Sequence, residues 1–358
     1  MHLLQTLVLP TLFQQTIAVP LGLAAPPIFP PHAIKATGIA TSTLSIFERL
    51  YPLKRGIPPP ECADKDATEE QGCFTLKDAS GNDVHFALAP GQSFATGIGS
   101  GNGGSVAHCV LADGRDIAVK QYGRAKMEAV EKEFAFMQEL KDNEHIVTAI
   151  ALGNVQGKPS MAMELLDGDI TTRVKEGKWK GKENEKAMKD FANQVLDALA
   201  YMHSKDITHS DLFLRNIAFK GDTAKIIDFD WAHKGVKFAE KVPMADWGRQ
   251  APEGYVDLKI PEPRPKMNID LKKNDVWAIA NVFLYMTTGV IVPKISKPEM
   301  RAIWEPDDSD KRVEQIKKRW PDFTPEFAEL LGDIFCKQDD RLTMEKFKED
   351  FADVKIYC

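Results

Sequence analysis

Two short stretches decide how this chain folds: ITHSDLFLRN over 207–216 and IIDFD over 226–230. The first contains an acid and an amide, Asp211 and Asn216, and the second contains another acid, Asp228. At these spacings a loop and a following hairpin can bring the three side chains into one site. Asp211 can accept a hydroxyl proton, and Asn216 and Asp228 supply the hard oxygen ligands that Mg²⁺ prefers.

Upstream, the stretch GIGSGNGGSV over 97–106 is rich in glycine. It contains the pattern G-x-G-x-x-G-x-V at Gly99, Gly101, Gly104 and Val106. Glycines let the backbone of a turn approach phosphate oxygens closely, with its amides pointing inward. A flexible linker has the same composition, so that alternative stays open. A dinucleotide-binding fold would need a helix straight after the glycines, but strand-like residues follow.

The next apolar strand, IAVK over 117–120, ends in Lys120. A lysine in this position would be buried, which is costly unless an anionic group pairs with it. Phosphates together with a carboxylate would supply that group. The following segment, 125–140, has helical spacing and offers Glu133 as that carboxylate. Glu128 and Glu131 are alternatives, and a glutamate on such a helix often lies on a solvated face.

The spacing of apolar residues divides the chain into a strand-rich first part and a helical second part. Alternation predicts a hairpin from 74–77 and 84–88, and further strands at 93–97, 105–111 and 116–121. Helical periodicity covers 125–140, 185–204, 275–287 and 325–336. The chain is therefore predicted to be an α+β protein with two lobes and a cleft between them.

In this order, these residues resemble a eukaryotic protein kinase catalytic domain from about Ser93 to Val354. Further similarities are MELL over 163–166, which resembles the adenine-binding hinge, and APE over 251–253, DVW over 275–277 and DRLT over 340–343. The resemblance implies a bilobal kinase fold. Its N-lobe (90–163) would be rich in strands with one main helix, its C-lobe (167–355) would be mostly helical, and Arg341 would pair with Glu253.

The resemblance also implies transfer of the γ-phosphate of ATP to a protein hydroxyl, with serine or threonine favoured. Lys120 would hold phosphates and be oriented by Glu133, Asp211 would deprotonate the acceptor, and Asn216 and Asp228 would bind Mg²⁺. The nucleotide would contact Gly99, Gly101, Gly104, Val106, Ala118, Lys120, Glu164 and Leu166, with Met163 as gatekeeper. The substrate would be a protein whose identity the sequence does not give.

Two departures from the kinase pattern concern activation. Ser210 stands where kinases usually carry an arginine that receives an activation-loop phosphate. The segment between Asp228 and Pro252 contains no serine, threonine or tyrosine. Together they predict activity without activation-loop phosphorylation.

Two further departures concern the catalytic motifs themselves. Asp230 replaces the glycine of the usual Asp-Phe-Gly motif, which predicts that an inactive, flipped form is harder to reach. Phe213 stands where serine/threonine kinases usually carry lysine, and Arg215 stands where many tyrosine kinases carry arginine. These positions leave the class of acceptor open.

Two other functions fit part of the pattern. HSD over 209–211 with Asn216, followed by IDFDWA over 227–232, is similar to small-molecule phosphotransferases of the aminoglycoside or choline type. The glycine turn, the APE segment and Arg341 are typical of protein kinases and favour the kinase. The other alternative is a nucleotide-binding pseudokinase scaffold, against which the complete set of catalytic groups argues.

The composition of the 358-residue chain, with a net charge of −6 and 27% charged residues, is that of a globular protein and argues against broad nucleic-acid binding. The first 60 residues differ, because they contain ten of the 22 prolines and no Asp, Glu, Lys or Arg before Lys35. Residues 1–24 are predicted to be a signal peptide or part of a disordered extension. The prolines argue against a membrane span.

The remaining domain predictions follow from this change in composition after the N-terminal residues. Residues 25–71 are predicted to be a proline-rich linker with one short helix at 43–51, residues 72–89 an accessory hairpin, and residues 90–355 the kinase domain. If residues 1–24 are a signal peptide the chain is secreted, and Cys62 and Cys73 can form a disulfide; otherwise the chain is cytoplasmic. Reduced thiols are the alternative for this pair, and the oligomeric state is not predicted.

Overall fold

The computed structural model describes residue 62 and residues 72–95, 97–101, 104–239, 251–254, 268–289, 303 and 306–358. All of them belong to the compact unit Lys54–Cys358. The predicted signal peptide, the helix at 43–51 and the linker lie outside the described residues, apart from Cys62.

The N-lobe is a closed antiparallel sheet. Its strands are β1 (Cys73–Lys77), β2 (Asp83–Leu88), β3 (Gly99–Gly101), β4 (Gly104–Leu111), β5 (Asp116–Tyr122), β6 (Ala149–Val155) and β7 (Lys158–Glu164). The order is β2-β1-β6-β7-β5-β4-β3, and β2 also pairs with β4. Six strands therefore close on themselves, β3 extends from β4 as a ribbon, and the predicted hairpin of β1 and β2 is built into the sheet. Closure pairs strand edges that would otherwise be open.

The strand predicted at 93–97 is wrong, because residues 92–95 and 97 form an irregular connection and β3 begins at Gly99. Phe94 is buried and packs edge-on against Phe74, with ring centroids 5.6 Å apart. The apparent alternation came from one aromatic side chain that anchors a loop to the sheet.

A disulfide bond joins Cys62 to Cys73, the first residue of β1, and both cysteines pack against Ala87. The bond fastens the segment before the sheet to its first strand. Disulfides persist in oxidising compartments, so this pair agrees with the secreted alternative. The compartment itself stays a prediction.

One helix, α1 (Met127–Glu139), packs against β6 and β7 of the N-lobe. Its buried residues are Val130, Glu133, Phe134, Phe136 and Met137. A glutamate on the face that is otherwise apolar needs a polar partner from the sheet, because an unpaired buried charge is strongly destabilising.

The C-lobe is mostly helical. Its helices are α2 (Thr171–Lys175), α3 (Glu185–Ser204), α4 (Leu271–Thr288), α5 (Ser309–Arg319), α6 (Pro325–Ile334) and α7 (Met344–Asp353). Its short strands are β8 (Gly168–Asp169), β9 (Ile207–Thr208), β10 (Ile217–Lys220), β11 (Thr223–Ile226), β12 (His233–Lys234), β13 (Phe238–Ala239) and β14 (Ile269–Asp270). The predicted helices at 185–204 and 325–336 correspond to α3 and α6.

Helix α4 lies in the centre of this lobe and is buried on nearly every side, as its apolar sequence requires. It begins four residues before the predicted helix, at Leu271, because the side chain of Asp270 accepts a hydrogen bond from the Lys273 N–H and caps the first turn. Gly289 ends it in the left-handed conformation, with φ of 67°. Among the residues described, no helix is both long and apolar enough to cross a membrane.

The fully buried guanidinium of Arg341 joins three segments of the C-lobe. It donates to Glu253 Oε1 at 2.9 Å and to three backbone carbonyl oxygens, those of Lys273, Ile334 and Cys336. It also lies 4.9 Å from the centroid of the Trp277 ring. The pairing of Arg341 with Glu253 is therefore present, and it links the described residues 251–254 to α4 and to the loop after α6.

We expect Arg341→Met to destabilise the fold, because methionine keeps much of the volume but leaves Glu253 and three carbonyl oxygens without their donor. Breaking a buried ion pair costs about 3–5 kcal/mol, and urea denaturation should show a loss of that size in the free energy of unfolding. The control is Lys318→Met on the exposed face of α5, which should change it by about 0.5 kcal/mol or less. A loss for Arg341→Met no larger than that of the control would contradict this role.

Candidate active site

Three charged side chains from three different elements meet on the face of the N-lobe sheet that α1 covers. Lys120 Nζ, on β5, donates to Glu133 Oε1 at 3.2 Å and to Asp228 Oδ1 at 2.6 Å. Glu133 comes from α1, where only 2% of its side chain is exposed, and Asp228 follows β11. Glu128 and Glu131, the alternatives to Glu133, are exposed. The structure thus brings Lys120 together with Glu133 and one predicted metal ligand.

These charges hold one another in the ionised form. Burial acts to lower the pKa of Lys120, but Glu133 and Asp228 outweigh it and the pKa is raised. Burial acts to raise the pKa of Asp228, but the charges of Lys120, His209 and Arg215 outweigh it and the pKa is lowered. The ammonium and the Asp228 carboxylate are therefore both charged at neutral pH.

The predicted catalytic residue Asp211 lies in the loop after β9, and its carboxylate is held by two nearby side chains. Asn216 Nδ2 donates to Asp211 Oδ2 at 3.0 Å and to the Asp211 carbonyl oxygen at 2.7 Å. Arg215 Nη2 also donates to Asp211 Oδ2, at 3.0 Å. A single 3₁₀ turn over Leu214–Asn216 folds these residues back towards Asp211. The orientation of the carboxylate is thus fixed by residues four and five positions later.

A wholly buried aspartate on α4, Asp275, anchors the backbone of this loop. Its carboxylate accepts the backbone N–H groups of His209 at 2.9 Å and Ser210 at 2.8 Å, and it lies 3.0 Å from His203 Nε2. Ser210 has a φ of 66°, a conformation that residues other than glycine adopt only where the surroundings enforce it. The sequence marked Asp275 only as part of a helix motif and did not show this role.

The loop that carries Asp228 is tied to the same structure through His209. His209 Nε2 lies 3.0 Å from the Ile227 carbonyl oxygen, and its ring packs on Phe229 with centroids 5.3 Å apart. Asp228 also has a positive φ, of 69°. Both strained residues thus lie beside His209, which holds the two loops in one arrangement.

The two predicted metal ligands lie at the same end of one hairpin. β10 and β11 are antiparallel with Ile217 opposite Ile226, so Asn216 precedes one strand and Asp228 follows the other. Among the described residues, no three His, Cys, Asp or Glu side chains form a complete metal-binding cluster. Mg²⁺ usually keeps waters and substrate phosphate oxygens and takes only one or two protein carboxylates, so this donor set fits it.

The glycine-rich stretch forms a ribbon, which excludes the linker interpretation. Gly99 lies opposite Val106 and Gly101 opposite Gly104, in β3 and β4. Gly104 has a φ of 142°, and a Cβ there would come within 2.1 Å of the Gln121 carbonyl oxygen. Only glycine fits this position, because the ribbon crosses so close to β5.

The residues predicted to form the hinge lie at the end of β7, beside β5. Ala118 is opposite Met163, Ile117 is opposite Glu164, and Leu166 follows β7 and packs on the main core. The Glu164 carboxylate accepts from Lys225 Nζ at 2.8 Å and from the Thr148 N–H at 2.9 Å. The side chain of Glu164 is thus a structural link to β11.

Asp230 adds a further carboxylate beside the charged group. Loss of hydration, together with the negative charge of Asp228, raises the pKa of Asp230 to about 6, although the residue is exposed on its outer side. An aspartate whose pKa rises on folding destabilises the fold while it is ionised, and the effect fades as the pH falls below its folded pKa.

We therefore expect Asp230→Asn, measured without Mg²⁺, to raise the melting temperature above pH 7. The difference from the parent chain should shrink as the pH falls from 6 to 4 and vanish at about pH 3, where Asp230 is mostly protonated in both states. Thermal denaturation from about pH 3 to pH 8 tests this, with the exposed Asp222→Asn as control. A difference that is constant across this range, or that grows at low pH, would show that charge repulsion is not the cause.

Comparison with known proteins identifies the family of the domain. The family model for the protein kinase domain matches residues 93–351, most of the chain. Serine/threonine-protein kinase SAPK9 of Oryza sativa is 28% identical over 271 residues, which cover 70% of this chain and 68% of that protein. Serine/threonine-protein kinase BCK1/SLK1/SSP31 of Saccharomyces cerevisiae is 28% identical over 226 residues, 60% of this chain but 14% of that protein.

Testis-specific serine/threonine-protein kinase 3 of Homo sapiens is 27% identical over 155 residues, 43% of this chain and 54% of that protein. The chain thus spans well under two thirds of several of its relatives. By the match over 93–351 and the two-lobed fold, the chain belongs to the protein kinase family.

Proposed function

We propose that this chain transfers the γ-phosphate of ATP to a serine or threonine hydroxyl of a protein substrate. The observation that carries the proposal is the meeting of Lys120, Glu133 and Asp228 within hydrogen-bonding distance. Burying three charges is costly unless they are paired in good geometry, so a site of this kind points to a function in binding phosphates.

Each residue has a distinct part in the proposed reaction. Lys120 would hold phosphate oxygens of the nucleotide under the Gly99–Gly104 ribbon, and Asn216 and Asp228 would hold Mg²⁺, which when bound neutralises negative charge on the phosphates. Asp211 would accept the proton of the acceptor hydroxyl. Its orientation is set by Asn216 and Arg215, so the proton acceptor is already aimed in this structure.

Support for serine or threonine as the acceptor comes from the relatives, which carry serine/threonine-protein kinase in their names. Phe213, at the position where such kinases usually carry lysine, packs edge-on against Tyr285 with centroids 6.1 Å apart. The positive charge next to Asp211 comes instead from Arg215. A basic group therefore still lies beside the proposed proton acceptor.

We expect the purified chain to incorporate labelled phosphate from Mg²⁺-ATP into serine or threonine of a generic protein acceptor. Asp211→Asn should lower kcat by at least about 100-fold, since positioned general bases contribute 10²–10⁴-fold. The control is Asp222→Asn, a fully exposed aspartate, which should leave kcat unchanged. Phosphate transfer only to a small alcohol such as choline or an aminoglycoside would favour the small-molecule phosphotransferase. Bound ATP with no transfer at all would favour the scaffold.

We also propose that the site is active without phosphorylation of the activation segment. Contacts that need no phosphate attach the first part of the activation segment to both lobes. β12 pairs with β9 in the C-lobe, and Lys234 Nζ lies 2.5 Å from Glu139 Oε1 on α1 in the N-lobe. Ser210, in place of the usual arginine, lies 3.4 Å from His233 Nδ1 through its hydroxyl. These contacts hold the described first part of the segment without a phosphate, which supports the proposal.

Phosphatase treatment, checked by intact mass, should therefore leave the activity unchanged. Glu139→Gln should lower the activity by at most about fivefold, because a partly exposed ion pair contributes up to about 1 kcal/mol. Glu128→Gln on the exposed face of the same helix is the matched control and should have no effect. Activity that disappears on dephosphorylation, and returns when the chain is phosphorylated again, would contradict the proposal.

A further inference from the structure

We propose that Tyr122, two residues after Lys120 on β5, is a positioning residue that holds Glu133 and Lys120 in the arrangement that receives nucleotide phosphates. The inference rests on the proposed function, because this pair is the one that would meet the phosphates of ATP. Neither the kinase resemblance nor the motifs of the chain assign a role to this tyrosine.

The geometry of β5 puts the two side chains side by side. Residues two apart on a strand point to the same face, so Lys120 and Tyr122 both face α1. Tyr122 Oη donates to Glu133 Oε2 at 2.7 Å, while Lys120 Nζ donates to Glu133 Oε1 at 3.2 Å. Both oxygens of the buried carboxylate are thus held by the same strand, which fixes the plane of the carboxylate as well as its position.

The ring of Tyr122 also contacts the lysine directly. Lys120 Nζ lies 4.6 Å from the ring centroid, a distance at which a cation is attracted to an aromatic face. With Glu133 and Asp228 as its other neighbours, the ammonium has a fixed position before any nucleotide arrives. A group that is already in place loses less entropy on binding a ligand.

Tyr122 is suited to act as a permanent donor. It is 4% exposed, and its burial beside the negative charge of Glu133 raises its pKa, so the hydroxyl keeps its proton at every physiological pH. Glu133 therefore receives a hydrogen bond from Tyr122 under all the conditions in which the chain would act.

The same tyrosine lies next to the glycine ribbon. Its backbone is opposite Gly104, the position where any side chain would clash with β5. Tyr122 therefore touches the three parts that would surround the phosphates: the end of the ribbon, the lysine and the glutamate on α1. This arrangement would keep α1 in place without help from a phosphorylated segment.

The test measures nucleotide binding directly, by fluorescence titration with a fluorescent, non-hydrolysable ATP analogue and Mg²⁺. Tyr122→Phe keeps the ring but removes the hydroxyl, and we expect Kd to rise about tenfold, as for loss of one hydrogen bond to a charged group. In assays, KM for ATP should rise by a similar factor while kcat stays within about twofold. Tyr201→Phe, a half-buried tyrosine on α3, is the matched control and should leave Kd unchanged.

A double-mutant cycle with Glu133→Gln separates positioning from general loss of structure. If Tyr122 acts through Glu133, adding Tyr122→Phe to Glu133→Gln should change Kd by no more than about twofold. Replacement of Tyr122 by para-aminophenylalanine, which keeps a donor at the same place, should restore Kd to within about twofold of the parent chain. This replacement also serves if Tyr122→Phe does not fold.

Three results would overturn the inference. The first is a Kd for Tyr122→Phe equal to that of the parent chain. The second is a double variant in which the increases in Kd from Tyr122→Phe and Glu133→Gln multiply. The third is a para-aminophenylalanine variant that binds the analogue no better than the phenylalanine variant. If the parent chain bound no ATP analogue at all, the proposed function would fail together with this inference. Parental binding with unaffected variants would overturn only the role of Tyr122.

Discussion

The buried contact of Lys120 with Glu133 and Asp228 is the interaction on which the rest of the structure depends. Lys120 is 13 residues from Glu133 and 108 residues from Asp228 in sequence, so the contact forms only when the sheet, α1 and the β10–β11 hairpin are all in place. A buried charge without its partner is strongly destabilising, whereas a paired set is tolerated. The fold is therefore constrained to present these three groups together, beside the N-lobe sheet.

The C-lobe meets this constraint with a rigid base. Helix α4 is buried almost all round, and its Asp275 fixes the backbone of His209 and Ser210, next to Asp211. His209 in turn fixes Ile227, next to Asp228. A chain of direct contacts thus runs from the centre of the C-lobe to the lysine on β5. The strained backbone of Ser210 and Asp228 lies along this chain, where packing can enforce it.

Sequence reasoning could name the charged groups that meet in the candidate site, because acids, amides and lysines at the ends of apolar strands are conspicuous. It could also predict most helices, since their periodicity is long. It named Glu133 as the partner of Lys120 but left Glu128 and Glu131 open, because burial decides among them and helical spacing alone does not. The partners of Tyr122, Lys225 and Asp275 come from other elements, up to 72 residues away, and no local pattern encodes such a pairing. The error at 93–97 has the opposite cause, because one buried Phe94 imitated a strand.

The central claim is that the unphosphorylated chain already holds Lys120 between Glu133 and Asp228. The most direct measurement is a crystal structure of the protein, shown by intact mass to carry no phosphate, with Mg²⁺ and a non-hydrolysable ATP analogue. The account predicts α1 in its present position, Glu133 bonded to both Lys120 and Tyr122, and Asn216 and Asp228 on the metal. A helix α1 turned away, with Glu133 beyond hydrogen-bonding distance of Lys120, would contradict it.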